Sequence, residues 1–353
     1  MKMTFRWYGP KDSIPLDYIR QIPAMTGVVT AVYDMPVGEV WGEDQIAALK
    51  EQANAHGLAM EVIESVPVHE DIKLRRGDCD RYIENYAENI RRLAKAGVKC
   101  ICYNFMPVFD WLRTNLHTVA EDGSYSLSYN HEEILSLDPK SLSLPGWDES
   151  YKPEELQALL SAYSEMTHEQ LFDNYCHFLS GIMPVCDEVG MNIAVHPDDP
   201  PWDIFGLPRI VSKKEDYERL FAAFPSNRCG ITFCTGSLGA GRSNDLVAMA
   251  YDYAKRGKIH FAHIRNVAYS GECDFCEVAH NTEAGSLPIF DIVKALVDGG
   301  FDGYVRPDHG RHIWGEDGKP GYGLFDRALG AAYLNGLFES AEKHLEKSKE
   351  IVK

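Results

Sequence analysis

The chain has 353 residues, 45% of them hydrophobic, with 35 basic against 53 acidic side chains and a formal net charge of −18. That much apolar surface builds a packed core, no stretch has the length and uniformity of a membrane-spanning helix, and the negative field repels nucleic acid and anionic membranes. It also disfavours anionic small molecules, so a pocket for an acid has to carry concentrated positive charge, from a metal ion and arginines.

Length alone suggests two domains, but α/β barrels with insertions run this long as one unit, so a single barrel over 1–353 is the simpler expectation. The leading MKMTFRWYGP lacks the basic-then-apolar layout of a secretory signal. The nine cysteines are odd in number and scattered, mostly in apolar patterns such as Cys100, Cys102, Cys176 and Cys186. Reduced core thiols in a cytoplasmic protein are therefore expected.

In chain order, apolar runs predict strands at 4–8, 28–33, 58–63 and 98–103, then at 191–196 (MNIAVH), 229–234 (CGITFC), 259–264 (IHFAHI) and 303–308 (GYVRPD). Helical periodicity predicts helices at 43–56, 80–96, 168–189, 215–223, 243–256, 288–298 and 324–346. Gly57, Gly97 and Gly190 suit left-handed C-terminal positions, Thr167 with Gln170 and Ser212 with Glu215 have capping-box spacing, and Pro288 suits a first helical turn. Eight strands alternating with helices predict a parallel (β/α)₈ barrel. Pro10, Pro15 and Pro23 leave room for about one short helix in 9–27. The long interruption at 105–165, after the fourth strand, enters at the C-terminal face, where it is placed to cover the mouth as a lid; an oligomer contact is the alternative.

Four potential metal ligands, His196, Cys234, His263 and Asp308, each close one of the last four strands. In a parallel barrel those strand ends open on one face, where such enzymes keep their chemistry. Strand side chains alternate, so His196 shares a face with Ala194, Cys234 with Thr232, His263 with Phe261 and Arg265, and Asp308 with Arg306 and Tyr304. The opposite faces carry Ile193, Val195, Ile231, Phe233, Ala262, Ile264 and Val305, which suit helix packing, so the ligand set is expected to point inward. A lone histidine or cysteine is more often a core residue; four at inward terminal positions predict a metal site. Two imidazoles, a thiolate and a carboxylate suit Mn, Fe or Zn better than Mg or Ca.

HPDDPP (196–201), the Cys234 strand end, HIRN (263–266), RPDHG (306–310) and the early RWYGP (6–10) resemble the iron/manganese-dependent mannonate dehydratases of hexuronate breakdown, over essentially the whole chain. The resemblance implies a barrel like that of xylose isomerase, one divalent ion, Mn(II) or Fe(II), and conversion of D-mannonate to 2-keto-3-deoxy-D-gluconate. Carried over to this sequence, it implies His196, Cys234, His263 and Asp308 as ligands and His309 and Tyr322 as proton-transfer residues. The partner is then a small sugar acid rather than nucleic acid or membrane, and a homo-oligomer is expected.

The chemistry asks for the same parts. Dehydration next to a carboxylate needs stabilisation of developing negative charge, a general base and a general acid. Arg306 and Arg265, inward beside Asp308 and His263, are candidates for binding the substrate's charge, with pairing to acidic barrel residues as the alternative for each. Histidine is the side chain whose free pKa lies nearest physiological pH, which makes His309 a candidate, and Tyr322 in PGYG (320–323) can present a hydroxyl from the last loop; which is acid and which base stays open.

GSLGAG (236–241) has its glycines as GxxGxG, the reverse of the dinucleotide fingerprint, and reads as a tight loop whose N–H groups approach substrate or as a plain turn. Cys273 and Cys276 in CDFCEVAH lack a complementary half-site, so a structural role is expected, while His280 on the same loop is placed to touch substrate. Asp198 and Asp199 are either acceptors behind His196 or a stiff turn, and Trp111 and Arg113 either close over the sugar chain or pack the lid. The rivals are a sugar isomerase on the same barrel, which favours a carboxylate-rich site, a metal phosphodiesterase, which needs a basic groove, and a non-catalytic sugar-acid binder.

Overall fold

A computed structural model describes residues 1–137 and 151–351, with side chains to residue 348; residues 138–150 of the long insertion lie outside the described residues. Strands β1 (Lys2–Arg6), β2 (Met25–Thr30), β3 (Ala59–Glu64) and β4 (Cys100–Tyr103) precede a hairpin of β5 (Asn115–Val119) and β6 (Tyr125–Tyr129). Strands β7 (Asn192–Val195), β8 (Cys229–Cys234) and β9 (Ile259–Ile264) precede a second hairpin of β10 (Asn266–Tyr269) and β11 (Phe275–Val278), and β12 (Tyr304–Pro307) comes last. Strands β1, β2, β3, β4, β7, β8, β9 and β12 close, in that cyclic order, into a parallel barrel.

The seven helices expected from periodicity are present, from Glu43–Ala55 to a last one, Phe325–Ile351, that runs on past its expected end. Their stops and starts follow local chemistry. Gly57, Gly97 and Gly190 have φ of 71°, 89° and 72°, and Thr167 accepts from the Gln170 N–H as a capping box requires. The box expected at Ser212 and Glu215 is instead built by Asp216, whose one carboxylate oxygen accepts from the N–H of Ser212 at 2.9 Å and of Lys213 at 3.0 Å. The proline-rich entry holds one short α-helix, Leu16–Gln21. Strand β2 begins earlier than expected, at Met25, and ends at Thr30, its last pairings being Val29 with Arg6 of β1 and Thr30 with Ile63 of β3.

Side-chain parity sorts the barrel into two cores. Val29, Val62, Cys100, Cys102, Ala194, Phe261 and Tyr304 form a cluster of their own inside the cylinder. Ile193, Val195, Ile231, Phe233, Ala262, Ile264 and Val305 belong to the layer packed against the helices. The alternation that puts Ala194, Phe261 and Tyr304 inside also turns His196, His263 and Asp308 inward.

A second, antiparallel sheet in the order β10, β11, β6, β5, the cap sheet, joins the insertion after β4 to the loop after β9. Phe275 pairs with Tyr129 and Cys276 with Ser128 across the seam. The segment GSLGAG is not a loop: Thr235–Ala240 is a buried helical turn. A Cβ at Gly236 would lie 2.4 Å from the Arg265 guanidinium, so this glycine allows the arginine to lie against the backbone. No helix among the described residues is long and apolar enough to cross a membrane.

Candidate active site

The carboxyl ends of β7, β8 and β9 bring His196, Cys234 and His263 to one point, where a ligand atom from each lies within 4.8 Å of the others. Asp308, just past β12, completes the group: its carboxylate is 3.5 Å from Cys234 Sγ and 3.6 Å from His263 Nδ1. Cys234 and His263 are fully buried. Burial and the Asp308 charge push the Cys234 thiol up, but Arg265 and hydrogen bonds from His196 and His263 outweigh them and bring it down to about 5. Burial alone lowers His196, yet the thiolate, Asp308 and Glu64 raise it to about 9. Asp308 is pushed up by burial and held well below its ordinary range by Arg306, His309, His263 and Arg265.

The two arginines singled out in the sequence both pair with acidic residues. Arg306 Nη2 lies 2.7 Å from Asp308 and 3.0 Å from Glu64, and it faces the cavity at the barrel mouth. Arg265 is spent on three carboxylates, Glu277 at 2.6 Å, Asp199 at 2.7 Å and Asp308 at 2.9 Å, with Ser237 beside it. It is 1% exposed and does not line the cavity. Its geometry is that of a buried counter-charge.

His309 and Tyr322 meet directly. His309 Nε2 is 3.0 Å from the Tyr322 hydroxyl, while Nδ1 lies 2.8 and 2.9 Å from the two Glu277 oxygens. Tyr322 is raised by burial, with Asp308 and Glu64 adding to that and Arg306 and Arg6 opposing it. Burial pushes Glu277 up, but His309, Arg265 and Arg113 bring it down to about 2. Trp111 packs edge-on against the His309 ring at 5.4 Å, and Tyr8 packs against Tyr322 at 5.2 Å.

Tyr8, Trp111, His196, Asp308, His309 and Tyr322 open on one cavity of about 600 Å³. Its floor is His196, Asp308, His309, Arg306 and Glu64; Arg6, Tyr8 and Lys319 line one side, and Met106, Trp111 and Tyr151 of the insertion line another. Four of the residues in and behind this site escaped the sequence reading. Glu64 ends β3, its Oε2 facing the free side of His263 Nε2 at 3.5 Å, and is held well below its ordinary range by Arg306, His263 and Arg6 against the upward push of burial. Arg6 ends β1, 3.3 Å from Glu64, and Tyr8 follows it. Glu277 sits inside CDFCEVAH, where the cysteines draw attention; only its buried position on β11, between the half-buried Cys276 and Val278, marks it.

The remaining candidates settle elsewhere. Arg113 lies beneath the cavity, donating to both Asp199 oxygens at 2.8 and 3.0 Å and to Glu277 at 2.7 Å. Asp198 holds a turn, accepting from the Val211 N–H at 2.7 Å and the Ser212 hydroxyl at 3.0 Å. His280 is buried against Gly330 and does not line the cavity. Cys273 and Cys276 are free thiols, the latter 3.0 Å from the Ser126 hydroxyl across the cap sheet. Cys79, Asp80 and His177 form a separate ligand-type group at the start of Cys79–Lys95, where the positive helix end and a thiol raised by burial disfavour a cation.

Residues 1–348 match the model of the family described as D-mannonate dehydratase (UxuA). The chain is 54% identical over 342 residues to mannonate dehydratase 2 of Halalkalibacterium halodurans, covering 96% of this chain and 99% of that protein. It superposes on the crystal structure of mannonate dehydratase from Streptococcus suis serotype 2 with a TM-score of 0.91 and 45% identity, covering 98% of this chain and 95% of that one. A xylose isomerase domain protein from Alicyclobacillus acidocaldarius subsp. acidocaldarius, 13% identical with a TM-score of 0.54 over 96% of this chain and 99% of that one, shares the fold.

Proposed function

The chain belongs to the D-mannonate dehydratase family, and from that premise we propose that it removes water across C2 and C3 of D-mannonate, with one divalent ion, Mn(II) or Fe(II), held by His196, Cys234, His263 and Asp308. The donor set fits such an ion. A thiol brought down to about 5 is a thiolate at neutral pH, and two imidazoles and a carboxylate beside it make a mixed set of the kind transition ions prefer. When bound, the ion supplies a Lewis acid for the substrate's carboxylate and neighbouring hydroxyl.

The chain's own residues supply the rest. Arg306 lies between Glu64 and Asp308 at the cavity floor, where it balances charge that builds on the acid as its C2 proton leaves. Tyr322, raised by burial, is a neutral phenol at physiological pH and serves as donor; His309 Nε2 serves as acceptor. The C2 proton passes to His309, the C–H electrons form the C2–C3 double bond, and the C3 hydroxyl leaves as water with the Tyr322 proton. The 3.0 Å hydrogen bond between the two residues then returns a proton from His309 to Tyr322. The enol takes up a proton at C3 and loses one from its C2 hydroxyl to give 2-keto-3-deoxy-D-gluconate. The insertion, with Trp111 against His309, serves as a lid that keeps bulk water from these steps. Nine free thiols, Cys234 among them, suit a reducing cytoplasm.

The observation that carries this reading is the meeting of three ligand atoms within 4.8 Å with a directly hydrogen-bonded His309–Tyr322 pair, where His196, His309 and Tyr322 line one cavity. Protein reloaded anaerobically with Mn(II) or Fe(II) is expected to turn D-mannonate into a 2-keto-3-deoxy acid seen by NMR. Unchanged D-mannonate with either ion, or an isomerised sugar in place of the keto acid, refutes the proposal.

A further inference from the structure

The cap sheet reaches His309 through Glu277. Glu277 lies on β11, which is hydrogen-bonded to β6 of the insertion, and its side chain is 3% exposed. Its Oε1 is taken by two guanidinium groups, Arg113 Nη2 at 2.7 Å and Arg265 Nη1 at 2.6 Å. Both carboxylate oxygens then face His309 Nδ1, and Nε2 on the far side of the ring faces the Tyr322 hydroxyl.

We propose that Glu277 is a positioning residue that fixes the tautomer of His309, with the proton on Nδ1 and the lone pair on Nε2. A carboxylate in this setting only accepts, so the ring nitrogen it touches must carry hydrogen. In the neutral ring the other nitrogen is then bare toward Tyr322, which donates to it. The same bond sets the plane of the ring, and Trp111 packs edge-on against it. Arg113 comes from the insertion, so the segment that covers the mouth also orients the histidine beneath it. This inference rests on the proton-transfer roles given to His309 and Tyr322 above.

Glu277→Gln separates orientation from shape. The two arginines keep the amide oxygen at the Oε1 position, because an amide nitrogen there meets only donors. Oε1, although 2.8 Å from His309 Nδ1, already has its lone pairs filled by the two guanidinium groups, so the Nδ1 proton is held by Oε2; in the variant the NH₂ group falls at that position, 2.9 Å from Nδ1, and donates to it. His309 then carries its proton on Nε2 and cannot accept from Tyr322. Trapping a catalytic histidine in the wrong tautomer costs about 10⁴-fold in kcat in a serine protease, and general acid–base steps are worth roughly 10²–10⁴-fold.

The decisive measurement is ¹⁵N NMR of the histidine rings at neutral pH in protein loaded with diamagnetic Zn(II), with the His309 signals identified by their loss in His309→Gln. Wild type is expected to show Nδ1 protonated and Nε2 bare, and Glu277→Gln the reverse. Mn-loaded Glu277→Gln is expected to lose roughly 10²–10⁴-fold in kcat with KM for D-mannonate and metal content unchanged. A wild-type ring protonated on Nε2, or on both nitrogens, overturns the proposal, and so does wild-type kcat in the variant. If the variant loses its fold or its metal, the wild-type spectrum alone decides. A wild-type protein that leaves D-mannonate unchanged refutes the proposed activity, whereas the tautomer is read without substrate.

Discussion

The two walls of the barrel mouth are built from different kinds of residue. The wall made by β7, β8, β9 and β12 presents His196, Cys234, His263 and Asp308, soft or ligand-type side chains at four consecutive strand ends. The opposite wall, from β1 and β3, together with the cap sheet presents Arg6, Tyr8, Glu64 and Glu277, residue types common on any surface. On the first wall the side chains are informative as a set, because four ligand-type residues at consecutive inward strand ends have few other uses. On the second the function lies in contacts between distant segments, as where Glu64 meets His263, Arg306 and Arg6.

If the first wall is the ion site, removing one donor has the largest effect of all. Cys234→Ser is expected to lose bound metal, measured by elemental analysis, and about 10³-fold or more in kcat. Retention of a stoichiometric ion with ordinary turnover would remove the thiolate from the site. Tyr322→Phe tests the boundary between the walls: metal content stays normal while kcat falls roughly 10²–10⁴-fold. Wild-type rates would leave Tyr322 as a loop anchor.

The second wall is also a charge-balanced interior, which acid can break. Glu277 is depressed from 4.5 to about 2, so its contribution to stability is complete above pH 4.5 and drains away as pH falls toward 2. A shift of this size corresponds to about 3 kcal/mol, and Asp199, also held below its ordinary value by Arg113 and Arg265 against the push of burial, adds in the same direction. Denaturant midpoints taken across that window should fall steeply for the wild type and less steeply for Glu277→Gln; parallel curves would show that Glu277 is not linked to folding.

The same division explains what could be read from the sequence. The barrel, its eight strands and the inward parity of the donors follow from periodicity and strand length, which are local. The cap sheet does not, since YSLSY and FCEV are too short to announce strands and pair across about 150 residues of chain. Glu277 was overlooked for the same reason: its neighbours Cys273 and Cys276 have the rarer side chains, but its own meaning depends on Arg113, Arg265 and His309, which come from three other segments. Glycine spacing misled at 236–241, where close packing against Arg265, rather than a loop near substrate, is what the glycines permit.

Glu64 gives the finest test of the contrast, because it touches the first wall from the second. His263 Nδ1 faces Asp308, and its Nε2 faces Glu64 Oε2 at 3.5 Å. Neither Nε2 nor Oε2 has a hydrogen-bond partner. A carboxylate behind a metal-binding histidine fixes its tautomer and ring angle, and losing such a partner costs about 10–100-fold in metal affinity. Glu64→Gln is therefore expected to weaken Mn(II) binding by roughly that factor in titration calorimetry, with saturating metal restoring much of the turnover. If Glu64 only balances Arg6 and Arg306, affinity for the ion stays unchanged and the deficit appears instead in KM for the acid, since the two freed guanidinium groups line the same cavity.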